Sequence, residues 1–462
     1  MSHDPVLHAT RTNAPLLSFS GSALPYEKPA TFDRQPLEGT KCVPVLDRFL
    51  GSRLFRWGSL LLFVMGAALL TFGRPSKFPT PYRIDLDVYR TGAQVFLDGG
   101  ALYGLIPALA NGKELPFTYP PIAAALFTVF TPMPLWVGSL LLTCASIASV
   151  TITLRMVLQN VCNRPKAQLW WLVLAAMAIG LWFGPIEETL SFGQINAILM
   201  LLVVVDALYG RGRWWGGMLI GLAIAIKLTP VVFLLLFVLR RDWRGALTTV
   251  ASFLVFTGVG FALMPRDSVE YWTSTLLDPG RIGRPAYASN QSINAVLVRL
   301  GFEGLTRAVL WFVVALVIGL FIAWVAGRLL TFGHDTAATI VVGFAALFCS
   351  PVSWGHHWVW ALPLVLLMLV WAMRAEVRPL PWLLLAGTGS FVFLTTPQWW
   401  FPSQNNAGLA WTPMQQFIGS SYVVWALIAL LSMGVSAHRL GRPDRELKPP
   451  TVFLPGLFSR PR

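Results

Sequence analysis

Between Tyr82 and Gly92 the chain reads YRIDLDVYRTG, with two carboxylates, Asp85 and Asp87, set two residues apart between two arginines. A carboxylate held within hydrogen-bond reach of a hydroxyl takes its proton and makes a poor nucleophile a good one. Flanked by Arg83 and Arg90, the two acids taken alone read first as a solvated salt-bridge cluster. Other groups suited to a polar ligand follow. They are Glu187 and Glu188 in GPIEETLSF, Gln194 and Asn196 in GQIN, Lys227 in AIAIKLTPVV, Asn290, Gln291 and Asn294 in SNQSIN, and His356 and His357 in SPVSWGHHWVW. Lys227 has no acid within ten residues. It reads either as a side chain snorkelling to a membrane surface or as a cation held for a phosphate-bearing ligand. The two histidines read as interfacial hydrogen bonders or as donors to an anion. A metal centre needs further ligands at suitable spacing, and none is seen. The glutamate pair suits a helix start, where the dipole favours acids.

The elements that must position these groups are membrane spans. The chain is 55% hydrophobic and 12% charged with a mean hydropathy of +0.62, against about 25% charged residues in a soluble protein. Twenty tryptophans and 33 prolines suit a polytopic protein with interfacial aromatics and broken helices. Apolar runs of spanning length lie near 54–73, 134–158, 168–184, 192–209, 245–264, 305–327, 336–352, 356–373, 380–396 and 417–437. These about ten full spans put both termini on one side. Basic clusters at Arg48/Arg53/Arg56, Arg155/Arg164/Lys166, Arg211/Arg213, Arg240/Arg241/Arg244, Arg374/Arg378 and beyond Arg439 share that side. With the tails it holds 24 of the 35 Lys and Arg residues, which marks it as cytoplasmic. The formal charge of +14 is thus an orientation signal, and no nucleic-acid partner is expected.

The expected organisation is a disordered cytoplasmic tail over 1–47, a transmembrane domain over 48–437 and a basic cytoplasmic tail over 438–462. The large outer loops are 74–133 and 265–304, with smaller ones at 185–191, 353–355 and 397–416. Segment 214–239 lies between two basic clusters and breaks at Lys227-Leu228-Thr229-Pro230. Each half covers roughly 15–20 Å, less than the ~30 Å hydrocarbon core, so a broken hairpin with Lys227 near its outer tip is expected. YPPIAAALFTVFTPMP reads as a re-entrant or interfacial helix of the first outer loop. Cys42, Cys144, Cys162 and Cys349 are scattered and support neither a disulfide framework nor a zinc site.

Several motifs occur together in one known family. In order they are IDLDVYRTGAQVFLDGGALYG with FTYPP, LSFGQINAILMLL, AIAIKLTPVVFLL, SNQSINAVLVRL and SPVSWGHHWVWALP. From about residue 80 to 365 the chain resembles the PimE-like family of actinobacterial polyprenyl-phosphate-mannose-dependent alpha-(1,2)-mannosyltransferases. The resemblance implies an all-α polytopic membrane protein of the GT-C fold, with about ten full spans plus a broken hairpin. That amounts to about 11–13 transmembrane helices in the plasma membrane, with a catalytic first extracytoplasmic loop. Its catalytic acid stands four residues before the tyrosine of a D-x-x-V-Y pattern, here Asp85 and Tyr89, and Asp87 occupies the variable position.

The implied reaction moves mannose from a polyprenyl-phosphate-mannose donor to a phosphatidylinositol mannoside, from tetra- to pentamannoside, with inversion. Asp85 would be the base. Lys227, His356 and His357 would meet the departing phosphate, and Gln194, Asn196, Asn290 and Gln291 suit sugar hydroxyls. Tyr89, Asp87, Glu187 and Glu188 complete the expected substrate site. No cofactor or metal is expected, and the partners are the two lipid substrates and the membrane. A related arabinofuranosyl- or lipomannan-branching transferase is the alternative within the family. A lipid or sugar transporter is the alternative of another class, though no internal repeat is visible and the acids gather at span ends rather than mid-membrane.

Overall fold

The computed structural model describes residues 50–73, 82–374, 378–403 and 406–440. The expected tails, 1–47 and 438–462, lie outside these apart from 438–440. The described residues are helical, and their only β pairing is an isolated antiparallel bridge between Asn290 and Trp354. In chain order the helices used below begin with α1 (Arg53–Phe72), α2 (Ile84–Leu97), α3 (Pro121–Phe127) and α4 (Leu135–Val161). They continue with α5 (Lys166–Gly180), α6 (Gly184–Phe192), α7 (Asn196–Val205), α8 (Met218–Ile226) and α9 (Leu234–Leu239). The second half holds α10 (Trp243–Leu263), α11 (Pro265–Thr273), α12 (Ile293–Arg299), α13 (Gly304–Thr331) and α14 (Asp335–Cys349). Last come α15 (Ala361–Ala372), α16 (Pro379–Thr395), α17 (Pro413–Gly419) and α18 (Ser421–Ser436).

Seven helical segments among the described residues are long and apolar enough to cross a membrane, or eight if the bent pair α5–α6 is one span. Of the ten expected spans, three take another form. α5 stops at Gly180, and the chain turns by 78° into α6. Residues 185–191, expected as a loop, are therefore helical. The cause is local: Pro185 suits a first helical turn, and Gly193, at φ +75°, ends the helix in a left-handed cap. Helices α7 and α14 run ten and fifteen residues. At 1.5 Å per residue they cover about 15–22 Å, short of the ~30 Å core. The break in 214–239 falls where the sequence puts it: α8 ends at Ile226, Lys227 is extended at φ −151°, and a 3-10 turn over Thr229–Phe233 leads into α9.

Burial sorts the spans. Gly355–Ala372 is 89% buried by protein, whereas the apolar stretches of α10 and α13 are 17% buried. On α13 the row Leu305, Phe312, Leu316 and Leu320 is exposed at helical spacing, which suits a lipid-facing surface. The central span is thus the one that begins with the histidine pair.

At the end of the bundle away from that pair, buried polar groups fasten the helix ends. Asp206 is 1% exposed, and its Oδ1 and Oδ2 accept the amides of Gly217 (2.6 Å) and Ile220 (2.9 Å) at the start of α8. Arg240 pairs with Asp335 at 2.8 Å and donates to the Ala207 carbonyl. Arg374 donates to the carbonyls of Val161 and Leu440. Removing the Asp206 cap leaves two amides bare where water is scarce, each costing about 1–3 kcal/mol. Asp206→Ala is expected to lower the midpoint of thermal unfolding in detergent by several degrees. Asp206→Asn, which keeps one acceptor oxygen, is expected to lower it less.

Candidate active site

Helix α2 carries the two acids, and helix geometry gives them different surroundings. Residues i and i+2 lie about 200° apart around a helix, whereas i and i+4 share a face. Asp87 turns inward and is 4% exposed. Its Oδ2 accepts the Ala110 amide (2.9 Å) and the Tyr82 hydroxyl (3.1 Å), tying the loop after α2 back onto the helix. Asp85 shares its face with Tyr89, and one side chain serves both. Gln194 donates from Nε2 to Asp85 Oδ2 (2.6 Å) and accepts on Oε1 from the hydroxyls of Tyr89 (3.0 Å) and Tyr119 (3.1 Å). The amide can face only this way, since the reverse would turn its oxygen onto a carboxylate.

This contact needs Gly193. At φ +75° it lets the chain turn out of α6, and a Cβ there would sit 2.7 Å from Arg83 Cβ and 3.2 Å from Leu86 Cβ. Arg83 fixes the start of α2 from below: its guanidinium donates to the carbonyls of Leu70 (2.9 Å) and Thr71 (3.4 Å) at the end of α1. Arg90 donates to the carbonyls of Phe130 and Thr131. The expected cluster of arginines around the acids is therefore largely a set of backbone anchors.

Burial pushes the Asp85 carboxyl up to about 6, against the Gln194 hydrogen bond and the Lys227 charge, which both favour its ionised form. Its carboxylate makes no further hydrogen bond among the described residues. Oδ1 is thereby available to accept from a substrate hydroxyl.

On the far side of the tyrosine pair lies a cation. Lys227 Nζ donates to Asn196 Oδ1 (2.9 Å) and to Tyr119 Oη (3.3 Å), and stands 5.2 Å from the centre of the Tyr119 ring. A directed chain thus runs from Lys227 through Tyr119 and Gln194 to Asp85. His357 adds a second donor. Its Nδ1 accepts the Trp354 amide (3.2 Å), so a neutral ring carries its proton on Nε2, which lies 3.4 Å from Lys227 Nζ. Two N–H donors converge at one place, and the acceptor that suits both is an anion. A narrow cavity of about 50 Å³ begins at Asn196 and His357 and continues between Met200, Val203, Phe233 and Leu347.

The other expected residues have different surroundings. His356 is buried with its ring edge-on to Phe192 and His357, and its carbonyl accepts from Asn196 (2.9 Å) and Thr189 (3.1 Å). Of the two histidines, His357 is the one whose ring meets Lys227. Asn290 and Gln291 are wholly buried and bond backbone. Asn290 donates to Pro285 and accepts the Ser292 and Ser353 amides, while Gln291 donates to Ala288 and Gly419. Asn294 donates to the Pro351 carbonyl. These three hold the loop before His356 in shape. Glu187 lies in the first turn of α6, and Glu188 accepts from the Trp399 indole (3.3 Å). Tyr119 is the site residue that sequence reasoning did not single out. Its signal was a hydroxyl set before two prolines in FTYPP, where the chain is stiff. Among the described residues no three His, Cys, Asp or Glu side chains are grouped as metal ligands.

A half-open carboxylate linked through neutral groups to a paired donor of two N–H groups suits transfer of a group between an oxygen anion and a hydroxyl. Comparison with known proteins agrees. Residues 117–351 match the model of glycosyltransferase family 87. A Mycobacterium tuberculosis protein (strain ATCC 25618 / H37Rv) is 39% identical over 86% of this chain and 96% of its own length. It is named a polyprenol-phosphate-mannose-dependent alpha-(1-2)-phosphatidylinositol mannoside mannosyltransferase. A Mycolicibacterium smegmatis protein of the same name is 38% identical, over 81% of this chain and 89% of its own. A second M. tuberculosis protein (strain CDC 1551 / Oshkosh) is 32% identical over 75% of this chain and 80% of its own. It is named an alpha-(1-2)-phosphatidylinositol pentamannoside mannosyltransferase dependent on the same donor. The chain belongs to glycosyltransferase family 87.

Gly193→Ala tests the contact on which the site is built. The added Cβ meets backbone-fixed neighbours in a left-handed conformation, costing about 1–3 kcal/mol. Thermal unfolding in detergent is expected to show that loss, and Gly193→Ala is expected to lose more than Gly387→Ala, whose Cβ would meet nothing within 4 Å.

Proposed function

We propose that the chain is an inverting, polyprenol-phosphate-mannose-dependent alpha-(1-2)-mannosyltransferase whose acceptor is a phosphatidylinositol mannoside. The observation that carries this reading is the arrangement of Asp85 and Lys227 at opposite ends of one hydrogen-bonded chain through Gln194 and Tyr119. The acceptor hydroxyl hydrogen-bonds to Asp85 and gives up its proton as its oxygen attacks the anomeric carbon. The bond from that carbon to the lipid phosphate breaks on the opposite face, so the configuration inverts. The phosphate gathers charge as it departs, and Lys227 Nζ–H and His357 Nε2–H stabilise that charge in the transition state. The donor's sugar is activated by its own phosphate, so Asp85 needs only to act as a base. The apolar walls behind His357 suit the first part of the polyprenyl chain.

The names of the 39% and 38% identical relatives support a phosphatidylinositol mannoside as acceptor, with the tetra- to pentamannoside step as the specific proposal. On this reading the fold is of the GT-C architecture, in the plasma membrane. The tails 1–47 and 438–462 are cytoplasmic, domain 48–437 spans the bilayer, and the site faces outward. The clustering of basic residues on one side supports this orientation. Offering polyprenyl-phosphate-arabinofuranose in place of the mannose donor separates this reading from that of an arabinofuranosyltransferase.

Purified protein given polyprenyl-phosphate-mannose and a tetramannosylated phosphatidylinositol is expected to form the pentamannoside. Asp85→Asn is expected to lower kcat by about 10²–10⁴-fold while the variant still inserts and binds donor; near-normal transfer would overturn the assignment. Asp85 acts only as its ionised form, so the rate is expected to fall as pH drops through about 6. Gln194→Leu removes a hydrogen bond that favours that form, so the acid limb moves to higher pH. Lys227→Met is expected to cost about 10²–10³-fold in kcat through the unstabilised phosphate.

A further inference from the structure

Beside the site, four segments far apart in the chain bring together side chains that the chemistry above does not use. Tyr287 stands edge-on to two indoles, 6.0 Å from the centre of Trp354 and 5.6 Å from that of Trp399. Glu188 on α6 accepts the Trp399 Nε1 hydrogen at 3.3 Å, which fixes that ring. All four side chains are half-buried. The cluster is built with little slack. Gly283, at φ +128°, packs against the Trp354 ring, and a Cβ there would lie 3.0 Å from it. Gly355 passes so close to Glu188 that a Cβ would lie 2.4 Å from the carboxylate.

The cluster is also tied to the reacting groups. Trp354 donates its amide to His357 Nδ1. Thr189, next to Glu188, bonds the His356 carbonyl. Glu188 precedes Gln194 by six residues, on the order of 10 Å along the chain path of a helix. Three partly buried aromatic rings held rigidly, one of them fixed by a carboxylate, suit one ligand chemistry: sugar rings, whose C–H faces lie on indole and phenol rings.

We propose that Tyr287, Trp354, Trp399 and Glu188 form a subsite for those sugar residues of the acceptor that do not react. This rests on the transfer activity proposed above. The platform binds the remote part of the glycan and so sets which hydroxyl reaches Asp85. Its preformed geometry means that little ordering accompanies binding. Loss of one indole should therefore weaken long acceptors and spare short ones.

The test uses the full chain in detergent, with polyprenyl-phosphate-mannose as donor and two acceptors. One is the tetramannosylated phosphatidylinositol; the other is an alkyl mannoside that offers the reacting sugar alone. The readout is the ratio of kcat/KM for the long acceptor to that for the short one. Trp399→Ala is expected to lower this ratio about tenfold, through a higher KM for the long acceptor with kcat little changed. Trp399→Phe is expected to restore most of it. A ratio unchanged in Trp399→Ala overturns the subsite, whether activity with both acceptors is kept or lost together. That is the result an interfacial anchor or a misfolded variant would give. Wild-type protein that transfers to neither acceptor overturns the proposed activity and the subsite with it.

Discussion

The contact between α2 and the turn that joins α6 to α7 is the constraint from which the site follows. It is made at Gly193, whose missing side chain lets the two elements approach, and it delivers Gln194 to Asp85 at 2.6 Å. An amide is the right bridge there because it donates at one end and accepts at the other. Its donor end favours the ionised carboxylate, and its acceptor end takes the tyrosine hydroxyls. One side chain thus favours the charged form of Asp85, positions Tyr89 and Tyr119, and leaves one side of the carboxylate open.

That bridge also keeps Asp85 and Lys227 from forming an ion pair with each other among the described residues. A buried carboxylate bonded directly to a buried ammonium is satisfied and hard to use. Taking two charges out of water costs several kcal/mol each, and a close pair recovers much of it. Separated by neutral groups, each charge retains unmet demand. The carboxyl remains basic, pushed up to about 6, and the ammonium, beside His357, is set for an anion. The molecule carries a direct ion pair elsewhere, at Arg240–Asp335, where a lock rather than a reaction is wanted.

How much of this was legible in the sequence varied by residue. Residue type and spacing alone left Asp85 and Asp87 alike, and only the family pattern separated Asp85, with Tyr89, from its neighbour. The helix break at Lys227-Leu228-Thr229-Pro230 was legible because proline and a lone cation interrupt an apolar run. The inward turn of Asp87 follows from an offset of about 200° on the helix, but its partners, the Ala110 amide and the Tyr82 hydroxyl, depend on a loop path that no periodicity describes. Asn290 and Gln291 looked like sugar ligands because polar side chains at span ends stand out in an apolar chain. Their bonds go to backbone at Pro285, Ala288 and Gly419, which only the packed loops reveal. Hydropathy is blind to some of the backbone path: residues 185–191, read as a loop, form a helix that turns by 78° from α5. The family model match over residues 117–351 includes Gln194 and Lys227 but leaves Asp85 and His357 outside it.

The short and broken helices have a common cause in what a membrane allows. In a bilayer every backbone amide and carbonyl must be satisfied within the protein, so irregular chain survives only where protein buries it or a cavity wets it. Several irregular pieces gather around the candidate site. They are the left-handed Gly193, the extended Lys227, the loop before Gly355 with its single bridge, and Thr396, left-handed at φ 46° without being glycine. A left-handed residue with a Cβ costs on the order of 1–2 kcal/mol. Thr396 is held there by Pro397 after it and by Gly184, which passes so close that a Cβ would lie 2.2 Å from its methyl. The turn it makes carries Trp399 to Glu188. Each departure from regular helix therefore places a side chain that a complete span would have pointed elsewhere. The buried polar side chains that bond these loops, Asn290, Gln291 and Ser292 among them, replace the hydrogen bonds a longer helix would have supplied.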